Sequence, residues 1–227
     1  MAVPLLAIYG TGGGDFDLDG QCSNPIEHWW HVTSAWFRFM TKLGYEPFRS
    51  DREFHWSGDI DGLGGMWRYV LFWRCWMRKY DRPQHRDWYS AARHLVDYIN
   101  GRGDRFFLTV AHSHAGQVAL YAAAMGVKFP VLVTVGTPSR HDMRSIEDKA
   151  IENIGLWVEV FDAEKDMIAI GGQLGDGAIS SDRTHRHSHI KIPLVDVSHS
   201  RILRDEDKFE HWMIDVLPNI PSVVIQR

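Results

Sequence analysis

Short runs of apolar and β-branched residues alternate along this 227-residue chain with longer stretches whose apolar positions recur at helical spacing. The short runs predict buried strands and the longer ones predict helices. The predicted strands are Val3–Tyr9, Tyr45–Arg49, Phe106–Ala111, Val131–Val135 and Leu156–Phe161. The predicted helices are Pro25–Leu43, Met66–Tyr80, Asp87–Ile99, Ala115–Met125 and Asp205–Leu217. Alternating strands and helices imply crossover connections and a mainly parallel sheet, so the predicted fold class is α/β.

Composition narrows the classes of protein that this pattern can represent. The chain is 44% hydrophobic and 24% charged, which supports a sizeable core and excludes a disordered segment. Its formal net charge of −4 argues against nucleic-acid binding, because phosphate recognition needs a concentrated cationic surface. No repeat, low-complexity tract or linker divides the sequence. We therefore expect one domain over residues 1–227.

The sequence also bears on compartment and redox state. Residues 1–9 lack a basic segment and a small-residue cleavage site, so we expect no signal peptide. No apolar run approaches the roughly 20 residues of a membrane-spanning helix, and the default expectation is a cytoplasmic protein. The two cysteines, Cys22 and Cys75, fall short of a disulfide framework and are expected to be free thiols.

The segment 107–117 carries the most specific chemical signal. Its sequence, Phe-Leu-Thr-Val-Ala-His-Ser-His-Ala-Gly-Gln, runs from an apolar strand through a turn of small residues directly into a helix. A sharp strand-to-helix turn lifts a serine hydroxyl above the sheet, and the new helix N-terminus stabilises developing negative charge. Ser113 is therefore the candidate nucleophile.

This segment resembles the nucleophile elbow of the α/β-hydrolase superfamily, in particular its small lipases and esterases. The usual pattern is Gly-x-Ser-x-Gly, and here Ala111 and Ala115 occupy the glycine positions, with Gly116 directly after. Gly136-Thr137-Pro138 is similar to a turn that follows the next strand in these enzymes. The resemblance implies an α/β-hydrolase fold with helices on both faces of the sheet. It also implies a serine hydrolase that cleaves carboxylic esters and needs neither cofactor nor metal.

The resemblance further implies a triad in the chain order serine, acid, histidine. Asp166 matches the acid on the loop after a late strand, with Asp162 as the reserve. His199, just before the closing helix, matches the base. The weaker candidates for the base are His185, His187 and His189.

Two backbone amides complete the site that the resemblance implies. An oxyanion hole needs two preorganised donors close to the developing charge. His114, directly after the nucleophile, would supply one. Thr11 would supply the other, from a Gly-Thr-Gly-Gly loop that is similar to the lipase loop after the first strand.

Several alternatives remain open at this level. The aromatic helix 66–80 fits either a lid that contacts lipid or an ordinary core helix. Histidines at alternate positions from 185 to 189 invite a metal-dependent hydrolysis, although a polar loop is favoured. Ser57 is a possible second nucleophile without the elbow context. The substrate is expected to be a small-molecule or lipid ester, with transient contact with a lipid surface possible. A thioesterase, an amidase, a cell-envelope ester hydrolase or a non-catalytic binding protein would use the same fold.

Overall fold

The computed structural model describes residues 3–8, 34–47, 83–102, 106–140, 143–162, 184–195, 202–203, 206–216 and 218. Its strands are β1 Val3–Ile8, β2 Tyr45–Pro47, β3 Leu108–His112, β4 Phe129–Val135, β5 Ile154–Asp162 and β6 Ile190–Leu194. Its helices are α1 Ala35–Lys42, α2 Pro83–Arg102, α3 Ala115–Ala124, α4 Arg144–Ala150 and α5 Glu206–Val216. A short 3₁₀ turn, Ile151–Asn153, joins α4 to β5.

Within these residues the strands form one parallel sheet in the order β2-β1-β3-β4-β5-β6. The chain first moves from β1 to β2 and then returns past β1 to β3, so the direction of winding reverses between β1 and β3. In open parallel sheets the crevice at such a reversal, outside the carboxyl ends of the strands, is where ligands bind. Ser113 follows β3 directly and therefore lies at this reversal.

Helices cover both faces of the sheet, as expected. Parallel crossovers are almost always right-handed, so the reversal of winding puts α1 on the face opposite α2 and α3. The packing agrees, because α2 contacts α3, α3 contacts α4, and α1 contacts α5. The central strands are buried on both sides, and the core residues of β3 include Leu108, Val110 and Ala111. The predicted α/β fold with a parallel sheet is confirmed.

The predicted strands all appear, with shifted ends, but two elements were not predicted. Helix α4 is only seven residues long, too short for a clear helical period. Strand β6 alternates buried Ile192 and Leu194 with exposed Lys191 and Pro193. It is the last strand in the order of the described sheet, a position where proline is tolerated because its missing N–H has no partner to satisfy.

Candidate active site

Ser113 occupies the turn between β3 and α3 in a backbone conformation that side chains avoid. Its φ is +57°, and among the described residues it is the only non-glycine residue with a positive φ. This left-handed region costs an L-residue roughly 1–2 kcal/mol. The Ser113 N–H donates to the Val135 carbonyl at 2.8 Å, which ties the turn to the end of β4. Such strain at one serine, held by its surroundings, is typical of a functional position.

The small residues around Ser113 allow α3 to pack against the chain that follows β4. A Cβ placed on Gly116 would overlap the side chain of Thr137, lying 2.8 Å from its Cβ. The Thr137 hydroxyl donates to the Ser113 carbonyl at 2.9 Å, and Gln117 Nε2 donates to the Pro138 carbonyl at 2.6 Å. A side chain is therefore excluded at Gly116, whereas Ala115, at the usual glycine position, is accommodated as a fully buried alanine.

His114, the predicted oxyanion donor, is the N-cap residue of helix α3 and comes directly after the nucleophile. Its backbone is right-handed helical, with φ −62° and ψ −14°, and its side chain is buried. The His114 ring lies 5.1 Å from the ring of Trp88 on α2, and the Arg140 guanidinium stands 5.2 Å from the same Trp88 ring. Both Trp88 and Arg140 are buried. The residue after Ser113 is thus fixed by aromatic packing as well as by the helix.

The predicted acid and base follow strands β5 and β6 in the sequence, and the two strands finish at the same end of the sheet. Strand β5 ends at Asp162, four residues before Asp166, and β6 ends at Leu194, five residues before His199. Asp162 pairs with Leu194 in the register, so the two strands end side by side. Because all strands of the sheet are parallel, β5 and β6 finish at the same end of the sheet as β3, which Ser113 follows.

Several predicted features lie outside the described residues. They are Thr11, Asp166, His199, Ser57, Cys22, Cys75 and the helix 66–80. The site predictions at Asp166, His199 and Thr11 therefore stay predictions. Of the proposed site residues, Ser113 and His114 are described, and they stand together at the elbow. None of the helices in the described part of the chain is long and apolar enough to cross a membrane.

The backbone from residue 184 to residue 189 is irregular, as the loop interpretation predicts, but His185 is fully buried. Its Nδ1 lies 2.8 Å from Oε1 of Glu147 on α4. Its backbone N–H donates to both carboxylate oxygens of Glu159 on β5 at 3.0 Å. The described residues show no hydrogen bond between Ser113 and His185. His185 is thus held by Glu147 and Glu159, and within the described residues neither of its ring nitrogens bonds Ser113.

Burial and charge act in opposite directions on this cluster. Burial by itself lowers the pKa of His185, but the Glu159 and Glu147 carboxylates beside the ring outweigh it and the net direction is upward. Burial raises the pKa of Glu159, and the net direction stays upward although His185 and the Ser188 hydroxyl oppose that shift. The Ser188 hydroxyl donates to Glu159 Oε2 at 2.7 Å.

The other two histidines of this segment have different partners. His187 Nε2 lies 2.6 Å from Asp148 Oδ1, and His189 Nδ1 accepts a hydrogen bond from the Trp157 N–H at 2.8 Å. The three histidines thus point to separate groups, which does not fit one shared metal ion. Across the described ranges, no group of three or more His, Cys, Asp or Glu side chains is placed to hold a metal.

Sequence reasoning missed Glu147, Glu159, Trp88 and Arg140. One signal was available for Glu159, because a charged residue inside the apolar strand Trp-Val-Glu-Val-Phe requires a buried partner. Nothing in the local sequence singles out Glu147, Trp88 or Arg140, whose contacts come from distant parts of the chain.

Comparison with known proteins gives matches of structure and none of sequence. No protein-family model matches the chain, and no curated protein matches it. A predicted CIB-like hydrolase from Thermoplasma acidophilum is 16% identical, with a TM-score of 0.52 over 96% of this chain and 86% of that one.

Two further solved structures are similar at lower scores. An α/β hydrolase enzyme from a sediment metagenome of the Mar Chica lagoon is 12% identical, with a TM-score of 0.49 over 96% of this chain and 92% of its own. The esterase domain of a Rhodothermus marinus protein is 13% identical, with a TM-score of 0.49 over 95% and 85%. The sheet order, the strained serine after β3 and the likeness to the Thermoplasma structure together show that this chain has the α/β-hydrolase fold.

Proposed function

We propose that the protein is a serine hydrolase that cleaves carboxylic esters with Ser113 as the nucleophile. The observation that carries the proposal is the left-handed backbone of Ser113, at the reversal of sheet winding and at the start of helix α3. A nucleophile elbow requires this strand–turn–helix context. The neighbour from Thermoplasma acidophilum, which shares the fold, is described as a hydrolase.

The proposed chemistry follows the serine-hydrolase sequence of steps. Ser113 Oγ attacks the ester carbonyl while His199 removes the hydroxyl proton, and Asp166 orients the imidazole and stabilises its charged form. The N–H groups of Thr11 and His114 hold the oxyanion of the tetrahedral intermediate. His199 then returns the proton to the departing alcohol. Water, activated by the same histidine, releases the acid and restores Ser113.

Strand topology supports the proposed partners of Ser113. The segments that contain Asp166 and His199 follow the ends of β5 and β6, at the edge of the sheet where Ser113 stands. The chain order of serine, acid and histidine is the order found in this fold. We propose a small-molecule or lipid ester as the substrate, with no cofactor in the reaction.

The test is covalent labelling with a fluorophosphonate probe, followed by peptide mapping, on the wild type and two variants. We expect the label on Ser113 in the wild type, none in Ser113→Ala, and unchanged labelling in Ser57→Ala. Absence of label on folded wild-type protein, or a label on Ser57, would overturn the assignment.

Substrate class is tested next with matched ester, thioester and amide substrates that share one acyl chain. We expect the ester to be hydrolysed fastest, and we expect the rate to survive a metal chelator because the proposed steps use no metal. A preference for the thioester or the amide would leave Ser113 as the proposed nucleophile but would show that the proposed substrate class is wrong. Loss of activity with the chelator would favour metal-dependent hydrolysis instead.

A further inference from the structure

A buried ionic cluster joins helix α4, strand β5 and the segment before β6, and it has no part in the proposed chemistry. It consists of Glu147, His185, Glu159 and Ser188, and we call it the acid–histidine cluster. Its three ionisable side chains are at most 2% exposed. His185 Nδ1 bonds Glu147, and its Nε2 lies 4.0 Å from Glu159 Oε1. One imidazole therefore stands between two buried carboxyl groups.

The geometry favours a charged imidazole at this position. Glu159 accepts the His185 backbone N–H on both oxygens and the Ser188 hydroxyl on one, an arrangement that suits an ionised carboxylate. Two buried carboxylates without a cation between them would repel each other strongly, because the interior screens charge poorly. The Lys191 ammonium on β6 also acts on Glu159, but it is exposed and donates to Thr184 Oγ1.

The cluster reaches the turn 136–140, which follows β4. The Thr137 backbone is among the groups that raise the pKa of His185, although His185 Nε2 makes no hydrogen bond of ordinary geometry with any described residue. The Ser139 hydroxyl donates to the Thr184 carbonyl at 3.1 Å. The segment around His185 thus holds the turn from one side.

The opposite side of the same turn holds the elbow. Thr137 donates to the Ser113 carbonyl, and Pro138 accepts from Gln117 in the first turn of α3. The backbone of Ser113 is strained, so it keeps its conformation only while these surroundings remain in place. A path of hydrogen bonds therefore runs from Thr184, directly before His185, through Ser139 and Thr137 of the turn to Ser113.

We propose that His185 is a positioning residue for Ser113. As an imidazolium between Glu147 and Glu159, His185 fixes the turn 136–140 against the elbow. The inference rests on the proposed function of Ser113. It adds a second histidine to the pH dependence of the enzyme, one that never touches substrate.

The sign of the pH dependence follows from the direction of the shift. The pKa of His185 is raised above its ordinary value of 6.5, because Glu159 and Glu147 outweigh the effect of burial. The contribution of His185 to stability is therefore complete below pH 6.5 and is lost as pH rises through the raised pKa. Labelling of Ser113 should rise with pH as His199 becomes a base, and should fall again as His185 loses its proton.

The experiment compares His185→Gln with His187→Gln, a matched change in the same segment at a partly exposed histidine bonded to Asp148. The rate of fluorophosphonate labelling per folded molecule is measured across pH, with thermal unfolding of each variant. We expect His185→Gln to lower the labelling rate about tenfold and to remove the alkaline decline, since small misplacements of a reacting group are costly. His187→Gln should behave like the wild type.

A second measurement does not depend on activity. Ring-nitrogen NMR of isotope-labelled wild-type protein should show His185 mainly in the doubly protonated form at pH 6.5, the ordinary pKa of histidine, because its pKa is raised. A neutral His185 overturns the proposal, whether or not Ser113 reacts. If the wild type fails to label while His185 is charged, the proposed function fails and the charged cluster stands without a catalytic role.

The remaining outcomes separate positioning from simple support of the fold. If His185→Gln labels at the wild-type rate per folded molecule with the alkaline decline intact, His185 only stabilises the structure and the proposal is wrong. If His185→Gln does not fold, Glu147→Gln replaces it in the experiment. Asp148→Asn, the same kind of change at the neighbouring exposed residue, is then the control. Glu147→Gln should move the alkaline decline to lower pH, because a carboxylate that favours the imidazolium is gone, and an unmoved decline would overturn the proposal.

Discussion

The two sides of the turn 136–140 are stabilised by different interactions. Toward the elbow, Thr137 and Pro138 meet small residues and neutral hydrogen bonds, and the contact at Gly116 leaves no room for a Cβ. Away from the elbow, Ser139 bonds the segment that carries His185, and that buried histidine lies between two buried carboxyl groups. One side depends on close packing and the other depends on charge, although both support the same strained serine.

This difference separates a side of the turn that is insensitive to pH from a side whose charge depends on pH. Packing around Gly116 changes little with pH, whereas a buried imidazolium is lost once its proton leaves. The support that the elbow side gives to Ser113 therefore does not depend on pH. The charged side makes that geometry conditional on pH.

The largest expected effect tests whether the described elbow is completed by the predicted partners. His199→Gln should lower kcat by about 10⁴-fold or more, and Asp166→Asn by about 10³–10⁴-fold, since one loses the base and the other its orienting acid. Steady-state kinetics on a reactive ester, with circular dichroism to confirm folding, measures both.

Asp162→Asn is the control for the choice of acid. It alters a carboxyl group four residues earlier, at the end of β5, and should leave kcat within about threefold if Asp166 is the acid. A large loss in Asp162→Asn with near-normal activity in Asp166→Asn would move the role to the reserve residue. Little loss in either variant would remove both from the triad.

Much of the fold could be predicted because its signals are local. β-branched runs marked β3 and β4, and the passage from strand through small residues to helix placed Ser113 in the elbow. Strand β6 was missed because Lys191 and Pro193 interrupt its apolar pattern and only its position at the end of the sheet makes that pattern acceptable. Such a position is a property of the whole fold.

The charged side of the turn could not be predicted for the same reason. His185 is 38 residues from Glu147 and 26 from Glu159 along the chain. The sequence shows an acid inside the apolar strand β5 and a histidine-rich segment, but not that they meet. Composition alone made the segment a polar loop, and burial of His185 is a tertiary effect.

A smaller effect tests the packed side of the turn. Gly116→Ala should destabilise the protein by about 1–3 kcal/mol, because its Cβ overlaps the Thr137 side chain and one of them must move. Adding Thr137→Ala should recover part of that loss, so the two changes are not additive. Urea unfolding of both variants measures this.

Gly101→Ala provides the matched control for the packing prediction. Gly101 lies in helix α2, where an added Cβ would have nothing within 4 Å, so alanine there should be neutral or stabilise by up to about 1 kcal/mol. Equal destabilisation at both glycines would mean that overlap with Thr137 is not the cause.

The smallest effect isolates the strain at the nucleophile itself. Ser113→Gly and Ser113→Ala both remove the hydroxyl and should both be inactive, but their stabilities should differ. Glycine adopts a φ of +57° without penalty while alanine does not, so Ser113→Gly should be more stable than Ser113→Ala by about 1 kcal/mol. At Ser90, an exposed position inside helix α2, the order should reverse, because glycine there costs about 1 kcal/mol relative to alanine. Chemical unfolding of the four variants gives both differences. The same order at the two serines would mean that the turn relaxes around the substitution, so that the neighbours of Ser113 do not impose its conformation.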